Sequence, residues 1–115
     1  MKLNCLLILA VWLMAGCGSD VDKWPRVPFD QKKWMEAKEV NRFVFVKDLI
    51  ERGGLKGKTV DEIIELLGPP TYKDEKVEYI TYVVKAESGN LYILDIRFKV
   101  EKGKSVVELV GVRSD

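Results

Sequence analysis

The sequence contains no histidine, and its only two cysteines, Cys5 and Cys17, lie near the start of the chain. Histidine is the commonest general base at neutral pH and the commonest metal ligand, so the usual parts of many catalytic and zinc sites are missing. After Cys17 the chain has no thiol for nucleophilic catalysis and cannot form an internal disulfide. No serine–lysine pair or nucleophilic carboxylate stands at a spacing typical of such chemistry. The composition therefore predicts a protein that is not an enzyme and that uses no cofactor or metal ion.

An excess of positive charge is also lacking, since 19 lysines and arginines face 18 aspartates and glutamates, for a formal net charge of +1. Proteins that bind nucleic acid neutralise phosphates with many lysines and arginines, so this balance argues against a nucleic-acid partner. A polybasic segment for anionic lipids is equally unsupported. No small-molecule substrate is expected, which leaves a membrane or another protein as the expected partner.

The first 17 residues have the pattern of a bacterial lipoprotein signal. A basic residue precedes the uncharged, mostly apolar segment 3–14, which is shorter than the roughly 20 residues that cross a bilayer but fits a signal-peptide h-region. It leads into Leu13-Met14-Ala15-Gly16-Cys17, which resembles the lipobox of lipoprotein signal peptidase. The resemblance implies cleavage before Cys17, a diacylglyceryl thioether on its sulfur and usually a further acyl chain, such as palmitate, on the new amino terminus.

The lipobox interpretation sets the expected location of the protein. Ordinary secretory cleavage, with Gly16 and Gly18 as the small residues, is the alternative. Two or three acyl chains would hold the protein on the membrane, because each buried methylene contributes about 0.8 kcal/mol. Gly18 replaces the aspartate that retains such lipoproteins at the inner membrane of enteric bacteria, which favours the periplasmic face of the outer membrane. We therefore divide the chain into a signal peptide (1–16), a lipidated tether (17–30) and a domain (31–115).

The predicted tether carries larger side chains than a plain linker needs. Pro25 and Pro28 exclude a regular helix across this segment. Its large apolar residues are Trp24, Val27 and Phe29. They either dock back on the domain or form a segment that binds a partner.

Two helical segments are predicted next. Asp30 is a suitable N-cap for the first, 31–39, which is rich in helix formers and has Trp34 as its main apolar anchor. The second, 41–52, has apolar residues at i, i+3, i+6 and i+7, and Gly53-Gly54 can end it. These apolar residues are Phe43, Val46, Leu49 and Ile50.

The clearest predicted helix begins at a capping box. In Thr59-Val60-Asp61-Glu62 the Thr59 hydroxyl and the Glu62 carboxylate can each accept an unpaired backbone N–H. Gly68-Pro69-Pro70 cannot continue the helix and marks its end. The apolar stripe that should face the core consists of Val60, Ile63, Ile64 and Leu67.

Three strands are predicted after this helix, at 77–85, 91–100 and 106–112. The second alternates apolar and charged residues, and short turns at 88–90 and 102–104 make neighbouring strands antiparallel. A sheet of this size buries one face against helices. The predicted fold class is therefore α+β, with two helices packed on a three-stranded antiparallel meander in the order α-α-β-β-β, a two-layer sandwich.

Two motifs in this pattern resemble the SmpA/OmlA (BamE-like) family of small outer-membrane lipoproteins. Leu55-Lys56-Gly57-Lys58-Thr59 is similar to its glycine-then-threonine helix start, and Ile63-Ile64-Glu65-Leu66-Leu67-Gly68-Pro69-Pro70 to its Leu-Gly-x-Pro stop. Tyrosines at Tyr79 and Tyr82 and the run Ile96-Arg97-Phe98 occupy the places of the family's tyrosine-bearing and aromatic strands. The resemblance spans about residues 48–112 together with the lipobox, and its motifs specify fold more than function.

The family resemblance implies a non-enzymatic, lipid-anchored subunit that supports the assembly of outer-membrane β-barrels. Relatives with the same helix-turn-sheet shape include inhibitory and scaffolding proteins. The alternative is therefore an anchored binder or inhibitor of another periplasmic or surface protein. The long region before the capped helix, 34–52, departs from the family pattern.

The candidate partner-binding residues are Leu91 and Ile93. They lie on the face of the second strand opposite Tyr92 and Leu94, so the start of this strand is apolar on both sides. A sheet covered on one face does not need a second apolar face. Either an aromatic residue of the N-terminal region (Trp24, Phe29 or Trp34) covers the two side chains, or they form an exposed patch for a protein partner.

Three groups of charged residues have simpler explanations. Acids at Asp61, Glu62 and Glu65 suit the positive end of a helix. Those at 74, 75 and 78 lack the D-x-D-x-D-G spacing of a calcium loop. Asp95 and Arg97 are expected to lie on a solvated strand face.

Overall fold

The computed structural model describes residues 21–52 and 54–114, so the predicted signal peptide and the lipidation site Cys17 lie outside the described residues. The helices are α1 (Gln31–Glu36), the 3₁₀ helix η1 (Glu39–Phe45), α2 (Val46–Glu51) and α3 (Val60–Leu67). The strands are β1 (Tyr72–Lys73), β2 (Tyr79–Glu87), β3 (Asn90–Glu101) and β4 (Lys104–Ser114).

The predicted α+β class is confirmed, but the described residues form four strands and not three, and more helical segments than the two predicted. All neighbours are antiparallel, in the spatial order β1-β2-β3-β4. The additional strand, β1, is only two residues long and pairs Tyr72 with Thr81 and Lys73 with Ile80. A segment this short shows no periodicity, so the sequence could not indicate it.

The two hairpins form where the sequence predicted turns. Both central residues of each loop have positive φ: 53° at Ser88 and 82° at Gly89, then 52° at Lys102 and 79° at Gly103. Two consecutive positive φ values belong to the type I′ turn, whose twist matches that of the flanking strands. Only the second residue of each pair is glycine, which adopts this conformation without strain from a Cβ.

The predicted caps of α1 and α3 are confirmed. The Asp30 side chain accepts the Lys33 N–H. At α3 the Thr59 hydroxyl accepts the Glu62 N–H at 3.2 Å, and a Glu62 carboxylate oxygen accepts the Thr59 N–H at 2.8 Å. The bonds to Thr59 lower the pKa of the Glu62 carboxyl below its usual range.

The predicted helix 41–52 is wrong in its first half, which forms the 3₁₀ helix η1 and becomes α-helical only from Val46. Phe43 to Val46 is rich in β-branched and aromatic residues, which fit a regular α-helix poorly, and 3₁₀ turns are common connectors. The change of period also changes the buried face. Phe45, Val46 and Leu49 are buried, whereas Phe43 and Ile50 are partly exposed.

The helical layer packs on one face of the sheet, called here the inner face. Alternate sheet residues point into this core together with side chains from every helical segment. Fully buried members include Trp34, Ile63, Leu67, Ile80, Tyr82, Leu94 and Ile96. The two residues of the α3 stripe predicted to face the core most directly, Ile63 and Leu67, are therefore core residues.

Side chains from other elements satisfy the carbonyls at the end of α3. Trp34 Nε1 donates to the Leu67 carbonyl at 2.8 Å, and the Tyr82 hydroxyl donates to the Gly68 carbonyl at 2.9 Å. Helix ends leave carbonyls without intrahelical partners, and a buried carbonyl without a donor is costly. Burial also raises the pKa of the Tyr82 hydroxyl above its usual range. Trp34 thus connects α1 to α3 by burial and by a hydrogen bond.

The described part of the predicted tether packs on the domain. Trp24 is buried, with its ring centroid 5.6 Å from that of Phe43 and 5.5 Å from that of Tyr92. The Phe29 ring lies 5.9 Å from Trp34. Of the two interpretations left open for this segment, docking on the domain is what the structure shows.

No helix within residues 21–52 and 54–114 is long and apolar enough to cross a membrane.

Candidate interaction surface on the outer sheet face

The second face of the sheet, called here the outer face, follows from the strand register. Cross-strand pairs place Val83, Ile93 and Arg113 in one row and Thr81, Asp95 and Gly111 in the next. None of these six residues belongs to the inner-face core cluster. In the described part of the chain, the helices contribute their buried residues to that inner cluster, and the outer face has no helical cover.

The two predicted partner-binding residues both lie on this outer face, but they differ in exposure. The Leu91 side chain is 41% exposed, whereas Ile93 is 7% exposed. Ile93 pairs with Val83 on one side and Arg113 on the other, and Leu91 pairs with Ala86 near the hairpin. We call Val83, Ala86, Leu91 and Ile93 the Leu91 patch. Leu91 is its projecting member, and Ile93 forms part of its base.

The N-terminal aromatic residues do not account for the burial of Ile93. Trp24 contacts Tyr92, and the Trp34 ring lies 6.2 Å from Tyr82, both on the inner face. Ile93 is also absent from the core cluster that contains these tryptophans. In the described part of the chain, Ile93 is therefore buried by neighbours of its own sheet, and the Leu91 side chain stays exposed.

Next to the patch lies a small cleft, which we call the Asp95 cleft. It has a volume of about 170 Å³ and is lined by outer-face side chains around Gly111. Leu109 forms one wall and is 54% exposed. An ideal Cβ on Gly111 would have no heavy atom within 4 Å, so the glycine leaves open space between Leu109 and Arg113.

The Asp95 carboxylate at the base of the cleft is only partly satisfied. Its Oδ2 lies 3.3 Å from Arg97 Nε and 3.8 Å from Arg113 Nε, and the Asp95 side chain is 12% exposed. Its Oδ1 is buried and has no hydrogen-bond partner. Asp95 and Arg97 were expected on a solvated face; the structure confirms the shared face but encloses the carboxylate. A buried acceptor of this kind calls for a donor from water or a ligand.

Aromatic and cationic groups extend the outer face towards β1. The Tyr72 and Tyr79 ring centroids are 5.8 Å apart, and the Arg97 guanidinium lies 5.1 Å from the Tyr79 ring. Tyrosine and arginine are enriched in protein interfaces because they combine apolar area with hydrogen-bonding groups. The sequence indicated the strand that holds Tyr79, but β1, which brings Tyr72 beside it, became visible only in the structure.

A second cavity, of about 220 Å³, lies between the N-terminal segment, α2, the loop before α3 and the end of α3. Its only buried charge is Asp48, whose Oδ2 accepts the Phe29 N–H at 2.8 Å and whose Oδ1 pairs with Arg52 Nε at 2.8 Å. Both carboxylate oxygens therefore hold the fold together. This cavity offers less to a ligand than the Asp95 cleft, where one oxygen is unpaired.

The other two acidic groups noted in the sequence lie at a turn and at a helix start. Asp74 Oδ2 accepts the Glu78 N–H at 3.2 Å and so closes the turn before β2. Asp61 and Glu62 stand in the first turn of α3. In the part of the chain that the structure describes, no cluster of three or more acidic or cysteine residues could hold a metal ion.

Comparisons with protein-family models, with curated proteins and with solved structures found no match to this chain. The resemblance to the SmpA/OmlA family therefore stays a prediction that rests on the motifs of the sequence.

Proposed function

We propose that this protein is a lipid-anchored, non-enzymatic interaction module of the cell envelope. The observation that carries the proposal is the outer sheet face, where exposed Leu91, Leu109 and Tyr72 surround two half-exposed arginines. A sheet that buries one face and leaves apolar and cationic side chains on the other has a surface suited to a protein partner.

The lipobox supports the anchored part of the proposal. A lipid on Cys17 would place the domain beside the membrane, since only three residues separate Cys17 from the first described residue, Val21. The expected surface is the periplasmic face of the outer membrane. The role of the protein is then positional, because the lipid holds the domain at the membrane while the outer face engages an envelope protein.

Within this class we propose an accessory role in outer-membrane β-barrel assembly, by the resemblance to the SmpA/OmlA family. The capped helix α3 and the tyrosine-bearing β2 are the parts of the chain that carry this resemblance. The second candidate is an anchored binder or inhibitor of another periplasmic or surface protein. It is favoured by the Asp95 cleft, because the buried Asp95 Oδ1 has no hydrogen-bond donor there. A side chain of a bound protein could supply that donor.

Crosslinking of the native lipoprotein in its own envelope, followed by mass spectrometry of the captured partners, separates the two candidates. Recovery of β-barrel assembly components would support the accessory role. Recovery of a soluble periplasmic enzyme in their place would support the binder.

Cys17→Ser is expected to block lipidation and to leave the unprocessed precursor, because lipoprotein signal peptidase acts on the lipid-modified cysteine. Intact-mass measurement of membrane-extracted protein checks both points: the natural chain should start at Cys17 and carry the mass of its acyl chains. A mature natural chain that starts at Ser19 without lipid would contradict the prediction.

Leu91→Lys is expected to remove partner capture while changing the free energy of unfolding by less than about 1 kcal/mol, since the side chain is exposed. A charge placed in an apolar contact is costly because it must lose its water. Crosslinking yield and chemical denaturation of the same preparations provide the two measurements.

Val100→Lys is the matched control, because Val100 lies on the same strand and is 76% exposed near the opposite hairpin. It should change neither capture nor stability. Equal loss of capture in both variants would assign the effect to charge alone and reject the Leu91 patch. Ile93→Lys is less informative, since Ile93 is nearly buried and its replacement should destabilise the sheet.

A further inference from the structure

The two edges of the sheet are covered to different extents. At the β2 edge, β1 pairs with Thr81, and the Thr71 hydroxyl accepts the Val83 N–H at 3.1 Å. At the β4 edge, the loop before α3 covers only the first half: the Val107 N–H donates to the Lys58 carbonyl and the Val107 carbonyl accepts the Gly57 N–H. Within residues 21–52 and 54–114, no strand pairs with the outer edge of β4 beyond this point.

The backbone groups at the free part of this edge can be assigned from strand alternation. The Phe98 N–H donates to the Glu78 carbonyl, on the β2 side of β3. Successive residues of an antiparallel strand direct their N–H and C=O groups to opposite sides. The backbone N–H and C=O of Asp95 therefore point towards β4, where they pair with those of its cross-strand partner Gly111. The residues on either side of Gly111, Val110 and Val112, therefore direct their N–H and C=O groups away from the sheet. A row of such groups fits another strand.

The outer face beside this edge has a gap and an unpaired acceptor. Gly111 has no side chain, the space above it is open, and the Oδ1 atom of its neighbour Asp95 is buried without a donor. A strand added to β4 would lie about 4.8 Å from it. An outward side chain opposite Gly111 could then cross the glycine and reach Asp95, provided that it is long and ends in a hydrogen-bond donor.

We propose that the free β4 edge pairs with the same edge of a second copy of this chain. The pairing is antiparallel about a two-fold axis, with Val112 opposite Val112 of the second copy. In this register Arg113 of the second copy lies opposite Gly111. On pairing, each Arg113 exchanges its 3.8 Å contact with Asp95 Oδ2 of its own copy for the Asp95 carboxylate of the other copy, and its guanidinium supplies the donor that Asp95 Oδ1 lacks. The two-fold axis repeats the contact, so each copy fills the cleft of the other.

A second copy fits this edge because its own sequence supplies the required side chain at the required spacing. Arg113 stands two residues after Gly111, which is the offset that the Val112-centred register needs. Arginine reaches further than most side chains and presents several N–H donors to a carboxylate. On the inner face, the same register brings the Val112 side chains of the two copies together, so the contact buries no charge there.

The test measures self-association of the full-length lipidated protein in detergent with excess micelles, by sedimentation velocity over a wide range of protein concentration. Val112→Pro removes an N–H that the proposal uses between copies and that the sheet does not use. Gly111→Val fills the open space, and in the single copy its Cβ would have no heavy atom within 4 Å. Each change should weaken self-association about tenfold or more. At concentrations where the natural protein is monomeric, Gly111→Val should leave the melting temperature unchanged or higher, because association itself stabilises the folded state.

Ala86→Pro is the matched control, because Ala86 is exposed on the other edge and its pairing with Leu91 directs its N–H outward by the same alternation. It should leave self-association unchanged. A natural protein that stays monomeric at all concentrations would overturn the proposal. So would a dimer that survives both Val112→Pro and Gly111→Val, since it would use another surface. Neither result bears on lipidation of Cys17 or on capture through Leu91, which the earlier experiments measure.

Discussion

Trp34→Ala is expected to lower the free energy of unfolding by about 3–5 kcal/mol, the usual cost of removing a large buried aromatic side chain. Trp34 is fully buried between α1, η1, α3 and the sheet, and its ring lies near those of Phe29, Phe45 and Tyr82. Such a loss is a large part of the roughly 5–15 kcal/mol available to a small domain. Urea denaturation followed by circular dichroism measures it.

Trp34→Phe separates the two contributions of this residue. Phenylalanine keeps most of the apolar contact but lacks the N–H that donates to the Leu67 carbonyl at 2.8 Å. An unpaired buried carbonyl costs about 1–3 kcal/mol, so the phenylalanine variant should fall between the natural protein and Trp34→Ala. If Trp34→Phe proved as damaging as Trp34→Ala, the hydrogen bond and not the burial would dominate.

The second large effect is expected for α3, where Ile63→Ala or Leu67→Ala should cost about 2–5 kcal/mol. Both side chains are fully buried against the sheet. Thr59→Ala should cost only about 1 kcal/mol, because it removes one cap at an exposed helix end. The comparison is made from denaturation midpoints at constant slope.

The ranking of these variants tests the orientation of α3. A Thr59→Ala protein less stable than Ile63→Ala would mean that the capping box, and not the apolar stripe, holds the helix in place. Glu65→Ala serves as a control on the exposed face of the same helix and should change stability by less than about 0.5 kcal/mol.

The functional proposals are tested at different residues, although the anchored binder and the self-associated pair would both use the Asp95 cleft. Lipidation depends on Cys17 alone and is checked by mass. Partner capture depends on the outer face, with Leu91 as its most informative residue. Self-association depends on the free edge of β4 around Gly111. A positive result for lipidation, partner capture or self-association therefore does not support the other two proposals.

Local rules acting on local sequence determined much of the fold. The capping box at Thr59, the glycine stop at Gly68 and the two hairpin loops could all be predicted, because each depends on residues within a few positions of one another. The α+β class followed from the same periodicities. The alternation of β3 also placed Leu91 and Ile93 correctly on the face opposite the core.

What the tertiary structure decided involves residues far apart in the chain. The 3₁₀ form of Glu39–Phe45, the strand Tyr72–Lys73 and the docking of Trp24 depend on partners that local periodicity does not reveal. The same holds for the candidate surface. Only the register of β3 and β4 places Gly111 beside Asp95, and among the described residues only the uneven cover of the sheet edges leaves the outward backbone groups of Val110 and Val112 without a paired strand. Sequence pattern fixes which face of a strand is apolar; packing fixes which face and which edge remain open.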